Sequence, residues 1–281
     1  MICLTGDIHH SSLKTNDQKY LLTKTPKDSE IKIAVKFLNI IEKYGLKVTF
    51  YVTGKTLAEE WADFKIISES EFVEIGGHTY SGIPLSVFNR IKYRLKGLTP
   101  PSHSTEYGSE HYQNKDIKKV KDIINKRTGQ ELLSWRSHGL IYDDKTYQIL
   151  YKHGIKFISD EISSTKFFPE KLKEGLISHP INTIPDHDHI YHAHRNREFC
   201  NKAKKRGYGT DDFGPNDYTI EEWGELVKRQ VIDIESKYGI ATLLIHPLCQ
   251  YLSDEFETVE KLFKLFSGFK TIWAKEIINS N

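Results

Sequence analysis

Short runs of apolar residues alternate along this chain with longer stretches in which apolar residues recur every three or four positions. Unbroken apolar runs are typical of strands buried on both faces, and the longer spacing is typical of amphipathic helices. The pattern predicts strands near residues 2–5, 48–52, 72–75, 132–136, 155–158, 177–184 and 241–246. It predicts helices near residues 28–44, 55–69, 115–127, 143–152 and 220–238.

Strands that alternate with helices predict a parallel sheet covered by helices. This many strand–helix units in a chain of 281 residues favour an α/β barrel over an open sheet. The alternation is interrupted at about 79–114 and 186–216, where we expect long loops, which are often functional in compact domains. Because no linker divides the sequence, residues 1–281 are expected to form a single domain.

The charges along the chain nearly cancel, with 40 basic and 38 acidic residues and a formal net charge of +2. Since a nucleic-acid-binding protein carries a concentrated basic field, we expect no nucleic-acid partner. No apolar run approaches the ~20 residues that span a bilayer, and no signal-peptide pattern follows Met1. We therefore expect a cytoplasmic protein without a membrane span. Three scattered cysteines favour buried thiols over a disulfide framework.

Ionisable residues follow almost every predicted strand. In a parallel α/β barrel the active site forms where the carboxyl ends of the strands meet. The residues at these positions are Asp7, His9, His10, His78, Arg136, His138, Asp160, Asp186, His187, His189 and His246. Chance explains one or two such groups, whereas carboxylates, imidazoles and a guanidinium at nearly every strand end predict a catalytic site.

Each of these residues also has a purely structural interpretation. Asp7 could cap the segment that follows it, and His246 could be a buried histidine bonded to a backbone carbonyl. His9 and His10 could be surface residues of a loop, although alternate residues at a strand end can point the same way, as Asp7 and His9 would. His78 follows a pair of glycines whose backbone freedom would let it project inward, which favours a metal ligand.

In order along the chain, these segments resemble the motifs of the polysaccharide deacetylases, the NodB-like carbohydrate esterase family 4. Leu4-Thr5-Gly6-Asp7 resembles the first motif, which places Asp7 on the family's catalytic base. Ile75-Gly76-Gly77-His78 resembles the second, which places His78 on a metal ligand. Trp135-Arg136-Ser137-His138 resembles the third, and Leu243-Leu244-Ile245-His246 the last, which places the general acid on His246. The resemblance covers nearly the whole chain and implies a distorted (β/α) barrel.

The sequence departs from this family pattern at the metal ligands. The Asp that usually follows the catalytic base is Ile8, and some members place that ligand two residues after the base, at His9. The second histidine of the paired ligand motif is Gly82. Three histidines could replace it, and the sequence does not choose among them: His10, His138 and His189. A shell rich in nitrogen implies one divalent cation, with Zn²⁺ as the expected ion.

The resemblance implies a metal-dependent hydrolase that removes an N-acyl group, usually acetyl, from an amino sugar. The metal would polarise the amide carbonyl and acidify a water. Asp7 would take the proton of that water while Arg136 holds it, and His246 would protonate the departing amine, which requires a raised pKa. The remaining strand-end residues are expected to contact the substrate, namely His138, Asp186, His187 and His189.

The expected role is surface polysaccharide biosynthesis, with a carbohydrate, sugar-nucleotide or lipid-linked substrate. The basic stretch from Arg195 to Arg206 could bind a phosphate of that substrate or be a solvated loop. Two other interpretations stay open: a metal-independent amidase that acts on a small amide, and a non-catalytic glycan-binding protein. The retained acid and base favour an enzyme, since binding alone needs neither. The sequence specifies neither the substrate, nor the acyl group, nor the oligomeric state.

Overall fold

The computed structural model describes residues 1–13, 15–85, 87–97, 104, 106–190, 211–214 and 217–277. The strands are β1 (Ile2–Ile8), β2 (Val48–Val52), β3 (Val73–Gly77), β4 (Ser134–Trp135), β5 (Phe157–Ile158), β6 (Glu170–Lys171), β7 (Ile177–Ser178) and β8 (Ala241–Ile245). The helices are α1 (Asn16–Lys24), α2 (Glu30–Lys43), α3 (Gly54–Glu59), α4 (Trp61–Ser68), α5 (Val87–Leu95), α6 (Glu110–Thr128), α7 (Asp144–Lys152), α8 (Asp186–His189), α9 (Ile220–Ser236), α10 (Pro247–Asp254) and α11 (Glu257–Phe266). Short 3-10 turns lie at Ser11–Leu13, His138–Leu140 and Ala274–Glu276.

The strands form one curled sheet in the order β6-β7-β5-β4-β3-β2-β1-β8. Neighbouring strands are parallel except for the β6–β7 pair. The strands β1, β2, β3 and β8 are buried along their whole length, as expected for a sheet covered on both faces. The parallel β/α architecture predicted from the sequence is confirmed, in the form of a half-barrel.

Asn182 links the β7 side of this curled sheet to its β8 end. Its main-chain N–H donates to the carbonyl of Thr242 at 3.2 Å, and its Oδ1 accepts from the N–H of Thr242 at 2.8 Å. Its side-chain amide also donates to the carbonyl of Ile240 at 2.9 Å. A side chain thus makes hydrogen bonds that a strand ladder would make in a regular barrel, which accounts for part of the distortion.

Several predicted elements differ in extent from the sequence pattern. The segment near 177–184 forms a ladder only at Ile177–Ser178, because Pro180 has no N–H to donate. The stretch near 55–69 is two helices that break at Glu60. The predicted loop at 79–114 contains α5 and the first turn of α6, and α8 opens the loop at 186–216. Residues 191–210 and 215–216 of that second loop lie outside the described residues, and the single-domain organisation stays a prediction.

Aromatic side chains fill the space between the sheet and two of its helices. The ring of Phe37 in α2 lies 6.4 Å from that of Phe50 in β2 and 5.3 Å from that of Phe263 in α11. All three side chains are buried, and each contributes about 1.5–3 kcal/mol. This packing holds the strands, and therefore the residues at their ends, in a fixed arrangement. Among the residues described, no helix combines the length and the apolar character needed to cross a bilayer.

Candidate active site

Four of the predicted residues lie together at the carboxyl ends of the central strands. Asp7 is the sixth residue of β1, while His78, Arg136 and His246 directly follow β3, β4 and β8. Because these strands are parallel, their carboxyl ends face the same side of the sheet. The pairing of β3 with β4 brings His78 beside Arg136, and Nδ1 of His78 donates to the Arg136 carbonyl at 2.9 Å.

Asp7 and Arg136 form a buried ion pair. Nη1 of Arg136 donates to Oδ1 of Asp7 at 2.8 Å, and its other donors bond to Thr5 and Ser159. The guanidinium also lies 4.4 Å from the centre of the Tyr51 ring. Burial acts to raise the pKa of Asp7, but the Arg136 charge and the neighbouring imidazoles outweigh it and hold that pKa well below its usual range. Asp7 is therefore a carboxylate at neutral pH.

The glycine pair before His78 is required by close packing. Neither glycine has a positive φ, so the backbone freedom expected from the sequence is not what this site uses. A Cβ on Gly76 would lie 2.5 Å from the Tyr51 ring, and one on Gly77 would lie 2.4 Å from the Trp135 ring. The absence of a side chain at Gly76 therefore lets Tyr51 take its place beside the guanidinium of the ion pair, and its absence at Gly77 makes room for Trp135.

Three imidazoles, those of His9, His78 and His138, face one another at the strand ends. One ring nitrogen of each lies within 4.8 Å of the other two. Nδ1 of His9 donates to Oε1 of Glu30 at 3.0 Å, and Nδ1 of His78 donates to the Arg136 carbonyl at 2.9 Å, so Nε2 is the nitrogen of each ring that these bonds leave available. Burial lowers the pKa of His78 to about 3, so that ring is neutral at neutral pH. Neutral imidazoles with converging nitrogens are suited to bind a divalent cation.

His138 occupies the space beside Gly82. A Cβ on Gly82 would lie 3.5 Å from Cε1 and 3.6 Å from Nε2 of the His138 ring. The imidazole from position 138 thus lies within contact distance of the point from which a side chain at position 82 would begin. Of the three histidines that the sequence left open, His138 is the one that the structure brings to His9 and His78.

The other two candidates lie outside this group of imidazoles. Nδ1 of His10 is 3.0 Å from Oγ1 of Thr53, and burial lowers the pKa of His10 to about 4. Nε2 of His189 is 2.9 Å from Oδ2 of Asp211. Both rings are buried, and neither belongs to the group of His9, His78 and His138 among the described residues, so a ligand role for either stays a prediction from the sequence.

His246 is held by Asp186. Nδ1 of His246 donates to Oδ1 of Asp186 at 2.7 Å, and its main-chain N–H donates to Oδ2 at 2.8 Å. Gln250 donates to the same Oδ2 at 2.9 Å. Burial acts to lower the pKa of His246, but the Asp186 carboxylate, with a smaller effect from Asp7, raises it to about 9. The imidazolium is therefore the main form at neutral pH, with Nε2 placed 3.9 Å from Oδ2 of Asp7.

The residues predicted to contact a substrate differ in their exposure. His187 is partly exposed, whereas Asp186 and His189 are fully buried, with Asp186 bonded to His246 and His189 bonded to Asp211. Asp160, also buried, accepts from the N–H of Ser137 at 2.5 Å and fixes the turn that carries His138. Burial raises the pKa of Asp160 to about 6. The basic stretch from Arg195 to Arg206 lies outside the described residues.

Glu30 is a buried site residue that the sequence pattern did not reveal. It accepts from both the main-chain N–H and Nδ1 of His9 through Oε1, at 2.7 Å and 3.0 Å, and from Gln18 through Oε2 at 2.9 Å. An acidic residue in the first turn of a helix is common because it complements the helix dipole. Its position in α2 therefore gave no signal of a contact with His9.

Comparison with known proteins relates the central part of the chain to one family. A family model named polysaccharide deacetylase matches residues 22–158, whereas no curated protein sequence matches significantly. A Mycobacterium smegmatis structure classed as a polysaccharide deacetylase aligns with a TM-score of 0.67 at 16% identity, over 97% of this chain and 85% of that one. The allantoinase PuuE aligns with a TM-score of 0.62 at 10% identity, over 97% and 86%. A carbohydrate esterase family 4 pseudoenzyme from Bacillus anthracis aligns with a TM-score of 0.53 at 14% identity, over 99% and 64%.

At these identities the structural likenesses show the fold alone. The similar structures include one classed as a deacetylase, an allantoinase and a pseudoenzyme. The family model adds the sequence relationship and supports a hydrolase that acts on acetyl groups of carbohydrates. The low identity agrees with the departures at Ile8 and Gly82 from the motifs that the sequence resembles. Residues 22–158, just under half of this chain, therefore resemble the polysaccharide deacetylase family in sequence, and the structural likenesses show the fold over almost the whole chain.

Proposed function

We propose that this protein is a metal-dependent hydrolase that removes an N-acetyl group from an amino sugar. The meeting of His9, His78 and His138 beside the Asp7 carboxylate is the observation that carries the proposal. Nε2 of the His246 imidazolium lies 3.9 Å from Oδ2 of the same carboxylate. A cation site, a carboxylate base and an imidazolium acid are together the groups that metal-assisted amide hydrolysis requires.

The donor set fits a late first-row divalent cation. His9, His78 and His138 would hold it, as three protein ligands hold catalytic Zn²⁺ and leave a further position for water or substrate. Glu30 and the Arg136 carbonyl fix the orientation of two of these rings, as outer-shell partners of metal ligands do. Zn²⁺ is the expected ion because the ligands are nitrogen atoms.

Asp7 acts as the general base in this proposal. Arg136 holds one of its oxygens, so the other, Oδ2, is directed towards His78 and His246. A carboxylate with so low a pKa is a weak base and accepts a proton only from an acidified water. A bound Zn²⁺ supplies that chemistry by lowering the pKa of water from 15.7 towards ~7 and by polarising the carbonyl.

His246 acts as the general acid. Its pKa of about 9 keeps a proton available at Nε2 at neutral pH, and Asp186 directs that nitrogen towards Asp7 by holding Nδ1. Transfer of this proton to the amide nitrogen lets the amine leave as the C–N bond breaks. The two protein groups thus handle the two protons of the reaction, one taken at Asp7 and one given at His246.

The carbohydrate substrate is proposed from the family, and the finer assignment is to an amino-sugar precursor of a surface polysaccharide. A sugar nucleotide and a lipid-linked sugar are both consistent with this role. The cytoplasmic location stays a prediction from the sequence.

Acetate release provides the test. Chelator-treated protein should release no acetate from UDP-N-acetylglucosamine or from N-acetylglucosamine oligosaccharides, and added Zn²⁺ should restore release from at least one of them. Asp7→Asn should lower turnover by about 10²- to 10⁴-fold while bound metal is retained, because Asp7 is not among the ligands. The matched control Asp233→Asn alters an exposed ion pair with Lys237 and should leave turnover unchanged.

Two outcomes would contradict this proposal. Activity that survives complete removal of metal would favour the metal-independent amidase. Sugar binding without acetate release, in protein that holds its metal, would favour a non-catalytic glycan-binding protein.

A further inference from the structure

A second group of metal-ligating side chains among the described residues includes His246. His187, His246 and Cys249 each offer one ligand atom, and these atoms lie within 4.8 Å of one another. Sγ of Cys249 is 3.5 Å from Nδ1 of His187. His246 caps α10 and Cys249 lies three residues later, so both project from the same face of that helix towards α8. The hydrolytic chemistry proposed above uses neither His187 nor Cys249.

A carboxylate completes this second group. Oδ2 of Asp17 lies 3.8 Å from Nδ1 of His187 and 4.0 Å from Sγ of Cys249. A thiol, imidazoles and a carboxylate are the donors from which tetrahedral zinc sites are built. The sulfur favours thiophilic ions such as Zn²⁺ and Cd²⁺ over Mg²⁺ or Mn²⁺, which prefer oxygen.

We propose that His187, Cys249 and His246 form an inhibitory cation site that takes a thiophilic divalent ion. Binding releases the thiol proton of Cys249 and the ring proton of His246, because both groups must be deprotonated to act as ligands. A His246 that holds a cation has no proton to give to the leaving amine. Filling the site therefore stops turnover, an effect that rests on the role of His246 in the proposed function.

Cd²⁺ is a suitable probe because cadmium–thiolate bonds absorb in the ultraviolet. Titration of the wild-type protein should produce this absorption band, and Cys249→Ser should abolish it while the control variants Cys3→Ser and Cys200→Ser keep it. His187→Ala, which leaves the thiol in place, should weaken Cd²⁺ binding by at least about tenfold. His138→Ala should keep the band, because it alters the other group of imidazoles.

The activity measurement uses Zn²⁺ added beyond one equivalent. It should inhibit the wild-type protein, and Cys249→Ser should relieve the inhibition. Absence of the thiolate band in the wild type, or its persistence in Cys249→Ser, would overturn the proposed second site whether or not acetate is released. A band that appears without any acetate release would instead contradict the proposed function and leave the cation site standing.

A different observation concerns α5, whose apolar side chains are exposed. At 100° per residue, Val87, Ile91, Leu95 and Phe88 fall within an arc of about 100°. Their exposed fractions are 75%, 50%, 83% and 75%, and α5 has no buried residue. A stripe of large apolar side chains this exposed is typical of a surface that binds a partner.

The polar part of α5 is basic. Arg90, Lys92, Arg94 and Lys96 fall within residues 87–97, which contain no acidic residue. On the helical projection Lys92 lies about 40° beyond Phe88, and Arg94 lies about 20° before the first residue of the stripe. Basic side chains that flank an apolar stripe can reach a negatively charged surface while the stripe is buried beneath them.

We also infer that α5 binds the surface of a bilayer that contains anionic lipid. The charge of the helix complements such a surface, and its apolar arc would enter the boundary between headgroups and acyl chains. The helix begins five residues after Gly82, where an added Cβ would lie 3.5 Å from the His138 ring. Binding through α5 would therefore bring the candidate active site close to the membrane, which favours the lipid-linked form of the proposed substrate.

Sedimentation with vesicles tests this inference. The protein should bind vesicles of phosphatidylcholine mixed with phosphatidylglycerol. It should bind more weakly to vesicles of phosphatidylcholine alone, and its binding to the mixed vesicles should weaken as the salt concentration is raised. Phe88→Ser combined with Leu95→Ser should abolish binding, whereas Leu22→Ser, an exposed leucine on α1, should not. Equal loss in the control, no binding to anionic vesicles, or a dimer in solution that the double variant dissociates would overturn it. Acetate release from a soluble sugar nucleotide is measured separately, so its absence would count against the proposed function alone.

Discussion

The raised pKa of His246 can be tested by removing the Asp186 charge that causes it. Its value of about 9, against an ordinary 6.5, corresponds to about 3 kcal/mol in favour of the imidazolium. Asp186→Asn removes the charge that produces this difference, while the amide oxygen can still accept from Nδ1. With that charge gone, burial dominates and the pKa should fall to 6.5 or below.

The expected effect on turnover depends on pH. At pH 8 a group with a pKa of 9 is about nine-tenths protonated, whereas one with a pKa of 6.5 is about 3% protonated. Asp186→Asn should therefore lose about thirtyfold in kcat at pH 8 and recover much of it at pH 6. The kcat–pH profile measures this, with Asp233→Asn as control. An alkaline limb that does not move in Asp186→Asn would refute the reasoning.

The difference between the folded and unfolded pKa of His246 also makes the stability of the protein depend on pH. Because the folded pKa of His246 lies above the unfolded value, its contribution is fully present below about pH 6.5 and is lost as pH rises through 9. The free energy of unfolding of wild-type protein should thus fall over this window, and Asp186→Asn should show a smaller fall. Urea unfolding at a series of pH values checks this, and equal slopes for the two proteins would contradict it.

Two further substitutions test how the site is supported. Gly76→Ala should cost about 1–3 kcal/mol of stability, because the added Cβ would lie 2.5 Å from the Tyr51 ring, and wild-type stability in urea unfolding would contradict this. Glu30→Gln should weaken Zn²⁺ binding about 10- to 100-fold by releasing the orientation of His9, whereas the control Glu60→Gln, which alters an exposed bond to Ser11, should not. Competition with a chelating dye measures these affinities, and equal affinity in Glu30→Gln and wild type would show that Glu30 does not orient a ligand.

The positions of the strand-end residues were predictable because a parallel sheet gathers the carboxyl ends of its strands at one face. Asp7, His78, Arg136 and His246 each follow a buried apolar run, and periodicity alone locates such runs. Helix α1 was not predicted, because its apolar content is low. It is fixed instead by a capping box between Thr15 and Gln18, a local hydrogen-bond pattern.

Partners that come from distant turns were not predictable from spacing. His138 lies beside Gly82 because a 3-10 turn follows β4. The spacing of apolar residues in the sequence does not reveal in which direction such a turn points its side chains. Asp186 lies 60 residues before His246, and its role as a buried partner depends on the path of the chain between them. The sequence thus identifies the residue types at the site, and the tertiary structure assigns their pairing.

Metal binding by histidine variants tests the proposed centre most directly. The measurement is Zn²⁺ affinity by calorimetry in a Cys249→Ser background, so that binding at the group of His9, His78 and His138 is observed by itself. His138→Ala should lower the affinity by more than the roughly 10- to 100-fold that an outer-shell change costs, while His10→Ala should bind like the parent. The opposite result, with affinity lost in His10→Ala and kept in His138→Ala, would contradict the proposed metal centre.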